Sequence, residues 1–293
     1  MPIIRILVLL CAAGVAASGQ EQTRRVYVTA LDANGSPVDG LTSEDFTVKE
    51  GGKARNVLRV EPAAARMQIA ILVDDNGTGL FRVGVARFIE SLLGRAEFSL
   101  STVAGQTMKL IDYTTDAREL SDAVHKLGAR PASNEGNQLL DGITGTSLDM
   151  AKRKAGHPII VALTVGGDDV TPMQPDDALD QLRRSGAQLY AVAVVGSSLR
   201  STTTPTRPGD MLNEGHALQA MLGDGPKRSG GYREEIPGIA GVDPKLQRLA
   251  EQLKRQYMIE YTLEGSKPSD RVSIAVKRKD VTLRAPTHVP NKM

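Results

Sequence analysis

Cysteine is nearly absent from this chain: of 293 residues only Cys11 carries a thiol. It falls inside an N-terminal apolar run, so the remainder has no disulfide framework, no thiol nucleophile and no thiolate ligand for a metal. Tryptophan is missing and aromatics make up 3% of the residues, too few for a surface that stacks on bases or sugar rings. An excess of charge of either sign is missing too. With 36 Lys and Arg against 34 Asp and Glu, the formal net charge is +2, which gives no footprint for a nucleic-acid partner. His125, His157, His216 and His288 are scattered, without the close spacing that zinc needs. No Gly-x-Ser-x-Gly turn marks a serine hydrolase. What remains is ordinary globular composition, 41% hydrophobic and 24% charged, in a chain long enough to bury a sizeable core.

The first residues depart from that composition. Arg5 precedes the apolar run Ile6-Leu7-Val8-Leu9-Leu10, and small residues fill positions 12–18. This is the pattern of a secretory signal peptide over residues 1–19. The run is shorter than the ~20 residues a membrane span requires. Leu10 stands before Cys11 where a lipoprotein signal wants a small residue. The expectation is an exported protein, periplasmic, envelope-bound or secreted, with no transmembrane span.

Beyond the leader the pattern changes twice. Residues 22–65 hold short alternating stretches at 25–31, 46–49 and 56–60, the period-2 signature of strands, with Asp32-Ala33-Asn34-Gly35 as a turn. From Gln68 a continuous apolar run, Ile69-Ala70-Ile71-Leu72-Val73, reads as a strand buried on both faces. Helical spacing follows through Phe81, Val85, Phe88, Ile89 and Leu92. Strands at 98–103, 108–111, 159–164 and 188–195 then alternate with helices at 117–127, 138–154, 177–184 and 244–256. That alternation predicts an α/β domain over 66–255, a doubly wound, mostly parallel sheet with helices on both faces. Residues 197–209, rich in Ser, Thr and Pro, read as a loop. Residues 256–293 return to strands, at 257–263, 272–276 and 281–283. We expect the two β-rich ends to form one small all-β domain around the inserted α/β domain.

In a doubly wound sheet, ligands gather outside the carboxyl ends of the strands. Three loops fall there: Asp74-Asp75-Asn76-Gly77-Thr78, Asn134-Glu135-Gly136-Asn137, and Val165-Gly166-Gly167-Asp168-Asp169. With the strand before the first loop and Leu163-Thr164 before the third, they resemble a von Willebrand factor type A domain. Leu41-Thr42-Ser43-Glu44-Asp45-Phe46 upstream and Gln256-Tyr257-Met258-Ile259-Glu260-Tyr261 downstream resemble the exported, acidobacterial-type branch of that family. The resemblance implies a binding or adhesion protein that is not an enzyme. It also implies a protein partner, and a metal-ion-dependent adhesion site for Mg²⁺ or another divalent cation. Position by position it assigns Asp74, Asn76, Thr78 and Asn137 to the metal, with Val165 where the family has its last Asp. Two amides replace hydroxyls and one carboxylate is lost, so the site reads as degenerate. Asp168 or Asp169 could compensate; otherwise the crevice is polar lining.

A second resemblance is catalytic. Asp74 to Thr78 is similar to the nucleophile loop of haloacid dehalogenase-like phosphatases. Gly167-Asp168-Asp169 would be the acidic metal loop, and Lys152 or Lys154 the phosphate-binding lysine. That reading makes Asp74 the nucleophile of a Mg²⁺-dependent phosphatase. It leaves Asn76 where a general acid is required, and an amide cannot donate and retrieve a proton.

Overall fold

The computed structural model describes residues 22–74, 77–103, 105–128, 138–166, 169, 171–195, 211–263 and 268–291. The leader at 1–19, Asn76, Asn137 and Asp168 lie outside the described residues. The N-terminal strands are β1 (Thr23–Leu31), β2 (Phe46–Glu50), β3 (Lys53–Arg55) and β4 (Val57–Pro62). The α/β succession runs β5 (Met67–Asp74), α1 (Arg82–Leu92), β6 (Ala96–Thr102), β7 (Met108–Thr114), α2 (Ala117–His125) and α3 (Leu139–Arg153). It continues with β8 (Pro158–Thr164), α4 (Pro175–Ser185), β9 (Gln188–Val194), α5 (Met211–Ser229), β10 (Tyr232–Ile236) and α6 (Val242–Lys254). Strands β11 (Tyr257–Thr262), β12 (Val272–Val276) and β13 (Thr282–Arg284) close the chain.

The central sheet has the order β10-β9-β8-β5-β6-β7, parallel except for the antiparallel edge strand β7. Its inner strands are apolar throughout because both faces are covered, and period-2 alternation sorts their side chains. Ile69, Ile71 and Val73 pack with α1, α2 and α6, while Ala70 and Leu72 pack with α3, α4 and α5. Strand β8 sorts the same way, Ile159, Val161 and Leu163 to the first face, Ile160 and Ala162 to the second. The strand order reverses direction between β5 and β8, the switch point where a doubly wound sheet opens a crevice at its carboxyl end.

N- and C-terminal strands are interleaved in two antiparallel sheets, β13-β1-β11-β4 and β12-β2-β3. They share a core of Val26, Val28, Phe46, Val48, Tyr257, Ile259 and Tyr261. Between the two sheets Arg24 Nη1 meets Glu50 Oε2 at 3.1 Å, both side chains buried.

Candidate functional site at the sheet switch point

Asp74 ends β5 and Thr164 ends β8, and the two are register partners on adjacent parallel strands. Adjacent register partners point to one face, so their side chains meet. The Thr164 hydroxyl donates to Asp74 Oδ2 at 2.5 Å, and both residues are 2% exposed. The same hydroxyl oxygen accepts the Gly166 N–H at 2.9 Å.

Val165 lies one residue on, and the alternation carries its side chain to the opposite face. It is buried in the core under α1, α2 and α6, while its N–H extends the ladder to the Asp74 carbonyl at 3.0 Å. The residue confronting Asp74 is therefore Thr164. Its parity with Ile160 and Ala162 was the available sequence signal.

Asp169, considered above as a replacement ligand, is fully buried. Its Oδ2 accepts the Leu140 N–H and its Oδ1 the Thr171 N–H, each at 2.9 Å. Helix α3 begins without a cap of its own, because the Gln138 side chain makes no capping bond. A carboxylate brought from the third loop fills that role, where unsatisfied N–H groups and the helix dipole favour negative charge. Burial raises the Asp169 pKa; the hydrogen bonds from Leu140, Thr171 and Leu139 oppose that rise.

Thr78 is exposed on the first loop. That loop rests on the turn after α2, where the backbones of Gly79 and Gly128 touch. A Cβ on Gly128 would stand 2.6 Å from Gly79 Cα, and Gly128 has φ +72°, so both space and backbone demand glycine there. Arg82 donates to the Leu127 carbonyl from the same side.

Of the four expected metal ligands, the structure places Asp74 and Thr78. Among the described residues, no group of three or more His, Cys, Asp or Glu side chains is arranged to hold a metal ion. A hard cation takes about six oxygens in an open shell. Asp74 Oδ2 and both Asp169 oxygens accept from protein donors, while Asn76 and Asn137 lie outside the described residues. The phosphatase reading needs a lysine beside Asp74. Helix α3 starts at the crevice and rises ~1.5 Å per residue, which carries Lys152 in its last turn and Lys154 just past it roughly 20 Å from Asp74.

A cleft of about 300 Å³ opens at the other end of the sheet, lined by Arg66, Met67, Arg95, His157, Leu253 and Lys254. Helices α1 and α6 end there, and Lys254 and Arg95 suit the negative ends of those helices. The polar layer beside it was missed in sequence reasoning. His157 is buried, stacks on Tyr27 at 3.6 Å and bonds Gln256 Oε1 through Nε2 at 2.8 Å. Gln256 Nε2 in turn reaches Thr29 Oγ1, Gln188 Oε1 and the Tyr190 hydroxyl.

No protein-family model and no curated protein matches the chain. Solved structures similar to it include proximal thread matrix protein 1 from the mussel byssus (11% identity, 66% of this chain, 49% of that chain, TM-score 0.46). A pilus adhesin, SpaC from Lactobacillus rhamnosus GG in the open conformation, matches at 9% identity, over 89% of this chain and 48% of that one (TM-score 0.47). A von Willebrand factor type A structure from Catenulispora acidiphila matches at 12% identity, over 91% of this chain and 72% of that one (TM-score 0.45). The chain thus spans about half the length of the first two. A further similar structure is a mutant of the PilB minor pilin from Streptococcus sanguinis, at 9% identity over 66% of this chain and 62% of that one (TM-score 0.44). The class set by its own strand order is a doubly wound α/β protein with its switch point between β5 and β8.

Proposed function

We propose that this is an exported, non-enzymatic binding or adhesion protein that docks a protein partner of the cell envelope on its crest of loops. One observation carries the reading: loops one and three converge on the Asp74–Thr164 pair, and Asp169 ties loop three to the start of α3. The described ends of these segments therefore meet at the place where this fold presents ligands. The expected adhesion-site cation position is degenerate on this reading, with Asp74, Asn76, Thr78 and Asn137 as its remnant. We also assign residues 22–65 and 256–293 to one small β domain carrying the α/β domain, 66–255, as an insertion. The shared core of their strands supports that division. Among the described residues no helix is long and apolar enough to cross a membrane. Export rests on the leader pattern at 1–19.

The test is retention of envelope proteins on immobilised mature protein. Thr78→Arg, on the crest, should abolish retention of a specific species, while Leu148→Arg, on the exposed side of α3, should leave it intact. Equal retention by both variants would remove the crest from the reading. Turnover of a generic phosphoester that disappears in Asp74→Asn would instead establish the phosphatase alternative.

A further inference from the structure

We infer that the cleft at the amino ends of the central strands binds a small organic monoanion, a carboxylate carried on a short apolar body. This site lies at the opposite end of the sheet from the Asp74–Thr164 pair and is independent of the docking surface proposed above. Its charge comes from the points where strands begin. Arg66 immediately precedes β5 and Arg95 immediately precedes β6. Those strands are parallel neighbours with Met67 and Ala96 as register partners, so the two arginines stand side by side one residue earlier. The Met67 N–H donates to the Arg95 carbonyl at 3.1 Å and holds that register. Both arginines line the cleft, and no carboxylate is among the described residues that line it. Like charges placed opposite each other on neighbouring strands repel. An anion between the two guanidinium groups removes that repulsion.

The remaining walls set the charge and size of the ligand. Lys254, in the last turn of α6, already meets Glu251 Oε1 at 2.7 Å. Arg95 faces the negative end of α1, which offsets part of its charge. Arg66 comes from the connection between β4 and β5, and among the described residues of the cleft it has no such counterpart. The cleft is therefore matched by one negative charge rather than two. A guanidinium fork takes both oxygens of a carboxylate. Ala63, Ala64, Met67 and Leu253 line the rest, an apolar wall suited to a short hydrocarbon chain. The volume of about 300 Å³ lies at the lower end for small-molecule sites and keeps the ligand small.

An NMR titration of the full mature chain tests the site, with hexanoate as the probe. The reporter is the buried His157 ring, which lines the same cleft. Hexanoate should move the His157 ring signals and saturate with a Kd on the order of 1 mM, within reach of so few heavy atoms. Hexanamide, its neutral counterpart, and inorganic phosphate should each bind at least about tenfold more weakly. Arg66→Ala, at an exposed position, should weaken hexanoate by about tenfold or more through loss of a charge-assisted contact. Arg118→Ala, which removes an exposed cation from α2, should leave the affinity unchanged. Unmoved His157 signals would overturn the inference, as would equal binding of hexanamide or of phosphate. So would an Arg66→Ala affinity equal to wild type, or an equal loss in Arg118→Ala.

Discussion

His157 and Asp169 are both buried, and burial moves their titrations in opposite directions. Removal from water pushes the His157 imidazolium down to about 4 from 6.5, against contacts from Gln256, the Ala65 backbone and Gln188 that favour the cation. Between those two pH values the unfolded chain binds the extra proton, so stability is fully present above 6.5 and is lost as pH falls toward 4. The shift corresponds to roughly 3 kcal/mol. Asp169 runs the other way: its folded pKa is raised from 3.8, so its share is present below 3.8 and is lost as pH rises through the folded value. Urea unfolding between pH 3.5 and 7.5 should show stability climbing through the histidine window, by less than the roughly 3 kcal/mol that His157 alone supplies because Asp169 opposes it. His157→Gln should flatten that climb and Asp169→Asn should steepen it. An unchanged profile in His157→Gln would remove His157 as its source. Neither role was legible in the sequence. His157 looked like one of four scattered histidines, and Asp169 acts on a helix that starts 30 residues earlier.

At the scale of elements, segments with a clear apolar period were readable, and those whose composition argued against their own structure were missed. The run 69–73 gave β5 almost to the residue, and the heptad-like spacing from Phe81 gave α1. Helix α5 was missed because its sequence carries Gly223, Gly225 and Pro226, which argue against a helix by propensity. Strand β10, Tyr-Arg-Glu-Glu-Ile, is an edge strand with one buried residue, and its charges hid it. It is held by parallel pairing to β9 instead. Helix α3 offers a test of how local and tertiary terms compete. Gly145 is exposed in mid-helix, and a Cβ there would meet nothing within 4 Å, whereas a Cβ on Gly142 would stand 2.8 Å from Val103 Cγ1. Gly145→Ala should therefore stabilise by about 0.5–1 kcal/mol. Gly142→Ala should destabilise by about 1–3 kcal/mol, because the helix must move off Val103. Denaturant midpoints decide it, and a stabilised Gly142→Ala would mean that the contact relaxes freely.

Across the whole molecule, the α/β sheet and the antiparallel strands meet through polar side chains. Gln256 is the hub, donating to Thr29 of β1 and to Gln188 and Tyr190 of β9 while accepting from His157. Tyr27 adds a stack on His157 and a hydrogen bond to the Gly156 carbonyl at 3.0 Å, and Arg284 lies over the Tyr232 ring at 4.1 Å. The sequence announced two kinds of segment but gave no sign of this layer, since its members come from six separate stretches. A satisfied buried network couples what it joins, and a half-satisfied one costs more than an apolar contact. In the wild type, hydrogen exchange should therefore open β1 and β11 together with β5 and β8. Gln256→Ala leaves several buried groups unpaired, about 3 kcal/mol or more, and that cost falls on the contact between the two layers. In that variant the amides of β1 and β11 should exchange at a lower free energy than those of β5 and β8. If all four strands still open together, the layers are coupled by their apolar contacts and Gln256 is a bystander.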